Sequence, residues 1–145
     1  MLIRRAMKGD LESVKRLLGE NRLPSDHLEK QIDGLFVLED DDGAIAGSAC
    51  LCPGQPVELR SVCIRPEARG MGWGRQLVET VLGEAIDMEI AALYLRTGAS
   101  GFFARLGFRE LPMEELGEIW DGCSECPRLG TDECRHVPMV YEFSR

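Results

Sequence analysis

Residues 57–86 read VELRSVCIRPEARGMGWGRQLVETVLGEAI, and the fold turns on how this stretch is understood. Val57 to Ile64 is an apolar-rich run that predicts a strand, closed by Arg65-Pro66. Arg69-Gly70-Met71-Gly72-Trp73-Gly74 then predicts a sharp turn. The helix after it carries Leu77, Val78, Val81, Leu82, Ala85 and Ile86 on one stripe. Glycines let a backbone turn tightly and approach a ligand closely. Amides at a helix start have no intrahelical acceptor and favour an anion such as a pyrophosphate. Arg69 or Arg75 can add charge. No Gly-Lys-Ser/Thr follows, so this is not the phosphate loop of nucleotide hydrolases, and the glycine spacing is not that of a dinucleotide fold. A flexible turn with no ligand is the competing interpretation of the glycines.

Working outward, Leu2 to Arg5 predicts a first strand. Asp10 is placed to cap a helix with Leu11, Val14, Leu17 and Leu18 on one face. Asp26 to Gln31 suggests a second, short helical piece. Leu35 to Glu39, the turn Asp40 to Gly43, and Ala44 to Leu51 form a hairpin pattern. After the central helix come a strand at Ala91 to Arg96, a short helix at Ser100 to Leu106 with Gly107 as its stop, and strands from Phe108 and from Val137 to Phe143. This order predicts an α/β fold with a mixed central sheet flanked by helices.

The chain has 145 residues, 44% hydrophobic and 29% charged, which predicts one globular domain spanning 1–145. No stretch approaches the roughly 20 apolar residues of a membrane span. Met1 to Arg5 lacks the apolar core of a signal peptide, so a cytoplasmic location is expected. The net charge of −8 argues against nucleic acid or a membrane surface as the main partner, because both demand a basic face. Arg65, Arg69 and Arg75 can still form a local phosphate patch. Of the 6 cysteines, Cys50, Cys52 and Cys63 lie in apolar runs and read as small core residues.

Arg69-x-x-Gly72-x-Gly74 resembles the acetyl-CoA signature of the GNAT acetyltransferase superfamily. Phe102-Phe103-Ala104-Arg105-Leu106-Gly107-Phe108 resembles that family's aromatic segment. The two motifs stand in the family's order. The resemblance implies a GNAT fold and an acetyl-CoA-dependent N-acetyltransferase. It puts the pyrophosphate on Arg69, Gly70, Met71, Gly72, Trp73, Gly74 and Arg75. It implies that Val62, Cys63 and Ile64 offer backbone groups to pantetheine, one of them polarising the thioester carbonyl. Glu58-Leu59-Arg60-Ser61-Val62, Tyr94-Leu95-Arg96-Thr97 and the tail from Ile119 to Val140 are similar to short amino-acid acetyltransferases related to N-acetylglutamate synthase. The phosphinothricin-type resistance acetyltransferases share some of these segments. Gly98-Ala99 replace part of that group's threonine run, so the acceptor can be a different amino acid.

Attack on a thioester requires a neutral amine, so a base helps. Glu58 stands at the family's frequent base position; the alternative is a solvated strand-end carboxylate. Strand alternation puts Arg60 on the face of Glu58, where it can clamp an acceptor carboxylate or form a salt bridge with Glu58. Ser61 and Thr97 are weaker acceptor contacts. Phe103 occupies the place where many relatives carry a tyrosine acid, and Phe102 and Phe103 read as core or as CoA-contacting apolar surface. Cys123-x-x-Cys126, Cys134 and His136, in a cysteine-rich segment at 119–138, have ligand types suited to a structural zinc, although Cys-x-His is a tight spacing. The competing readings are a resistance or protein-lysine acetyltransferase, a non-catalytic acetyl-CoA sensor and a metal-binding module. A homodimer is expected by analogy with the superfamily.

Overall fold

A computed structural model describes residues 1–115 and 136–143. The chain forms two compact units, one of Met1–Cys52 and Leu59–Glu89, the other of Pro53–Glu58 and Ile90–Arg145.

In the first unit, β1 (Leu2–Arg5), β2 (Leu35–Glu39), β3 (Ile45–Cys52) and β4 (Glu58–Ile64, less its first residue) lie in sequence order. The β1–β2 and β2–β3 ladders are antiparallel, with Ile3 opposite Leu38 and Val37 opposite Ser48. Helix α1 (Leu11–Glu20) buries Val14, Leu17 and Leu18 against Leu35, Val37, Cys50, Cys52 and Cys63. Helix α2 (Trp73–Asp87) buries Leu77, Val78, Val81, Leu82 and Ala85. Gly47 marks the face that α2 covers: a Cβ there would lie 2.7 Å from Ile64 Cδ1 and 3.2 Å from Leu77 Cδ1. Alternation sends Gly47 and Cys50 to opposite faces, so α1 and α2 cover the two sides of β3.

The second unit contains β5 (Ala92–Thr97), helix α3 (Ser100–Arg105), β6 (Arg109–Glu110) and β7 (Val137–Glu142). Strand β7 runs antiparallel to both β5 and β6. Glu58, the first residue of β4, pairs in parallel with Tyr94, which makes the sheet mixed. The core here joins Leu93, Leu95, Met139 and Val140 to an aromatic run. Phe103 meets Phe102 and Phe108 edge to face, at 5.0 and 5.5 Å between centroids, and Phe108 meets Tyr141 at 5.3 Å. Gly107 ends α3 at φ +104°, and a Cβ there would stand 3.0 Å from Tyr141 Cε2.

These are the α/β elements that the sequence predicts, with three local differences. Asp10 does not cap α1 through its side chain. Its carboxylate instead takes two hydrogen bonds from the Arg4 guanidinium, at 2.8 and 3.0 Å, and one from the Met7 amide. A bidentate charged pair outcompetes a single cap bond. The Arg4 hydrogen bonds hold the Asp10 carboxyl below its ordinary range. Residues 26–31 form successive turns rather than a helix, closed by bonds such as Gln31 N to His27 O at 3.1 Å. Ile86, counted in the buried stripe of α2, is 60% exposed, because it lies about 100° around the helix from the buried Ala85.

Candidate active site

In the first unit, the turn into α2 is built on left-handed glycines. Gly70 has φ +80° and Gly72 has φ +86°, and a Cβ at either would meet nothing within 4 Å. The space outside them is therefore open, and the glycines are required by the backbone conformation alone. Gly72 is the N-cap residue of α2, with no side-chain cap. The first helical bond runs from Gln76 N to Gly72 O, at 3.2 Å. The amides that start a helix are those an anion can satisfy, and α2 adds the positive end of its dipole.

The arginines around the turn differ in their commitments. Arg69 donates to Ile64 O at 2.9 Å and to Asn21 Oδ1 at 2.7 Å, so it ties the turn to the end of β4 and to the residue after α1. Arg75 pairs with Glu79 one helical turn on, at 2.6 Å. Arg65 pairs with Asp40 at 2.7 Å. Met71 is 62% exposed at the tip.

Strand β4 carries an irregularity that sequence reasoning misses. Ser61 has φ +60°, a conformation that costs a non-glycine residue roughly 1–2 kcal/mol. Two contacts offset that cost. Ser48 Oγ, wholly buried, donates to Ser61 O at 2.7 Å, and His27 Nε2 lies 2.7 Å from Ser61 Oγ. Serine has no special preference for this conformation, so no local signal announces it. The break in the pleat comes just before Val62, Cys63 and Ile64. The Cys63 side chain is buried in the α1 core, and burial pushes its thiol up, so its sulfur is withdrawn from solvent. Ser48→Ala is expected to lower stability by about 1–3 kcal/mol, because a buried carbonyl loses its donor. Urea unfolding measures this; an unchanged midpoint would mean that Ser48 does not hold the Ser61 conformation.

In the second unit, Glu58 stands opposite Tyr94, and Arg96 lies two residues further along β5 on the same face. The Arg96 guanidinium is 3.9 Å from the Glu58 carboxylate, whose side chain is 17% exposed. Glu58 thus has an ion-pair partner in Arg96 that sequence reasoning did not name. Strand alternation along β5 holds the signal for it, but only once the Glu58–Tyr94 register is known. Thr97 Oγ1 accepts from Ala99 N at 2.8 Å and shapes the turn into α3. Phe102 is half-buried, and Phe103 is buried in the aromatic core. Of the four residues considered for zinc, His136 is exposed, and Cys123, Cys126 and Cys134 lie outside the described residues.

Residues 7–108 match the model of the acetyltransferase (GNAT) family. An uncharacterized N-acetyltransferase of Chlorobaculum tepidum is 28% identical over 95% of this chain and 96% of its own length. An amino-acid acetyltransferase of Mycobacterium tuberculosis is 28% identical over 96% of this chain and 86% of its own. Among solved structures, N-acetylglutamate synthase of Neisseria gonorrhoeae, complexed with coenzyme A and N-acetyl-glutamate, superposes with a TM-score of 0.79 at 25% identity, over 99% of this chain and 35% of that one. The left-handed glycine turn at the head of α2 falls within the family match, and the chain belongs to the GNAT family as an acetyl-CoA-dependent N-acetyltransferase.

Proposed function

We propose that the protein transfers acetyl from acetyl-CoA to the amine of a small amino acid, glutamate or an analogue of it. The observation that carries this reading is the carboxylate of Glu58, held beside Arg96 at the start of β4. The Mycobacterium tuberculosis relative named an amino-acid acetyltransferase, and the N-acetyl-glutamate in the Neisseria gonorrhoeae structure, support the acceptor class. The reading takes residues 1–145 as one catalytic domain.

Each residue then has a defined task. The amides of Gly70 to Arg75 receive the pyrophosphate, with Arg69 fixing the shape of the turn. The backbone of Val62, Cys63 and Ile64 meets the pantetheine arm. Glu58, directly or through a water, takes a proton from the ammonium. The neutral nitrogen attacks the thioester carbonyl, and a strand amide stabilises the oxyanion that develops. The attacking nitrogen then loses its surplus proton to water, and collapse breaks the C–S bond and releases CoA as its thiolate, which takes a proton from solvent in return. Arg60 is the proposed ligand of the acceptor carboxylate. Ser61 and Thr97 have hydroxyls engaged in hydrogen bonds within their own units, so their proposed role is to position neighbouring backbone. Phe102 offers an apolar edge to the cofactor, and Phe103 supports it from the core.

Thiol release from acetyl-CoA over a panel of amino acids, phosphinothricin, polyamines and a lysine peptide tests the acceptor. The highest kcat/KM is expected with glutamate or a close analogue. Turnover confined to polyamines or the peptide would overturn the amino-acid assignment.

A further inference from the structure

Outside the acetyl-transfer residues, the first unit gathers three soft metal-ligand side chains in one place. Cys50 and Cys52 are both buried on β3. Residues two apart on a strand share a face, and these sulfurs lie 3.5 Å apart. His27, from the turns after α1, brings a ring nitrogen to them, and the three ligand atoms all fall within 4.8 Å of one another. We propose that Cys50, Cys52 and His27 form a binding site for a thiophilic divalent cation of the zinc class.

Three physical arguments support the assignment. The first is distance. Two sulfurs about 2.3 Å from a tetrahedral zinc lie about 3.8 Å apart, close to the spacing here. With all three ligand atoms within 4.8 Å of one another, the imidazole needs to close by at most roughly 1 Å to reach the same ion. His27 sits in a turn segment rather than in a helix or strand, so it can make that adjustment. The second is orientation. His27 Nε2 lies 2.7 Å from Ser61 Oγ, and in the tautomer where Nε2–H donates to that hydroxyl the lone pair is left on Nδ1. A hydrogen bond to the other ring nitrogen is how ligand histidines are commonly held. The third is charge. Two thiolates and a divalent ion make a neutral group, which a buried site tolerates; a monovalent ion would leave a net negative charge. Binding replaces two S–H bonds by two metal–sulfur bonds and releases two protons to solvent. The three side chains supply three of the four ligands of a tetrahedral ion.

The test uses the full chain with Cys123, Cys126 and Cys134 all changed to Ser, which removes tail cysteines as competing ligands. Cobalt(II) serves as the probe, because its thiolate charge-transfer absorption reports sulfur ligation directly. One equivalent of cobalt with that absorption is expected, displaced by zinc. Adding Cys52→Ala should abolish the absorption. Adding His27→Ala should weaken affinity at least tenfold. Far-UV circular dichroism checks that each variant folds, and if Cys52→Ala does not, His27→Ala decides alone. No charge-transfer absorption in the tail-substituted protein would overturn the proposal. So would absorption that survives Cys52→Ala, or an affinity that His27→Ala leaves unchanged.

Discussion

Glu58→Gln is expected to lower kcat by about 10²–10⁴-fold, the usual contribution of a positioned general base, while CoA affinity stays the same. The amide has nearly the shape of the carboxylate and still offers Arg96 an acceptor, so packing around β4 should survive. What disappears is the ability to hold the ammonium proton. The variant must then use only the fraction of acceptor already neutral in solution. Its rate should therefore climb with pH, and the advantage of the wild type should shrink. Steady-state kinetics across pH, alongside CoA titration, measures both parts. A loss of only a few-fold with a parallel pH profile would reduce Glu58 to a charged partner of Arg96. In that case Arg96→Gln should give the same modest effect.

Gly34→Ala should be among the most destabilising single changes in the first unit. Gly34 ends a short 3-10 turn, Ile32–Gly34, just before β2. A Cβ built there would stand 2.0 Å from Leu51 O and 3.0 Å from Leu51 C, both backbone atoms of β3. Backbone cannot rotate away as a side chain can. Either β3 shifts, with its buried Cys50 and Leu51, or the turn before β2 does, and with it the pairing of Leu35 with Cys50. Overpacking typically costs about 1–3 kcal/mol, and a clash against backbone belongs at the upper end of that range. That is a large part of the 5–15 kcal/mol that ordinarily holds a domain folded. Urea unfolding of the variant gives the number. A change within roughly 0.5 kcal/mol, as at an ordinary surface site, would show that the approach is not tight.

What the sequence revealed and what it concealed divide along physical lines. The α2 stripe, the strand entering it and the glycine turn were legible because periodicity and backbone freedom are local properties. Gly107 was legible for the same reason. The contacts that organise the candidate site are not local. Ser61 adopts a left-handed φ because Ser48 and His27, from elsewhere in the chain, hold it there. Glu58 meets Arg96 because of a strand register that no pattern within β4 encodes. Asp10 looked like a cap by every local rule, and a charged partner six residues earlier took its carboxylate. The cluster of His27, Cys50 and Cys52 was hidden similarly: two of its members read as core, and only the fold brings the third to them.

Arg69 has a consequence for how ionic strength acts on this protein. Both of its partners, Ile64 O and Asn21 Oδ1, are uncharged oxygens, so the guanidinium is fixed in direction while its charge is left unneutralised by them. Beside it stands the positive end of α2. The chain as a whole carries −8. An incoming anion is thus repelled at long range and attracted at short range. Dissolved salt screens the long-range part first, over a Debye length of about 8 Å at physiological concentration, and the close contact much less. Moderate salt should therefore speed the arrival of an anionic cofactor, and only concentrated salt should loosen its grip.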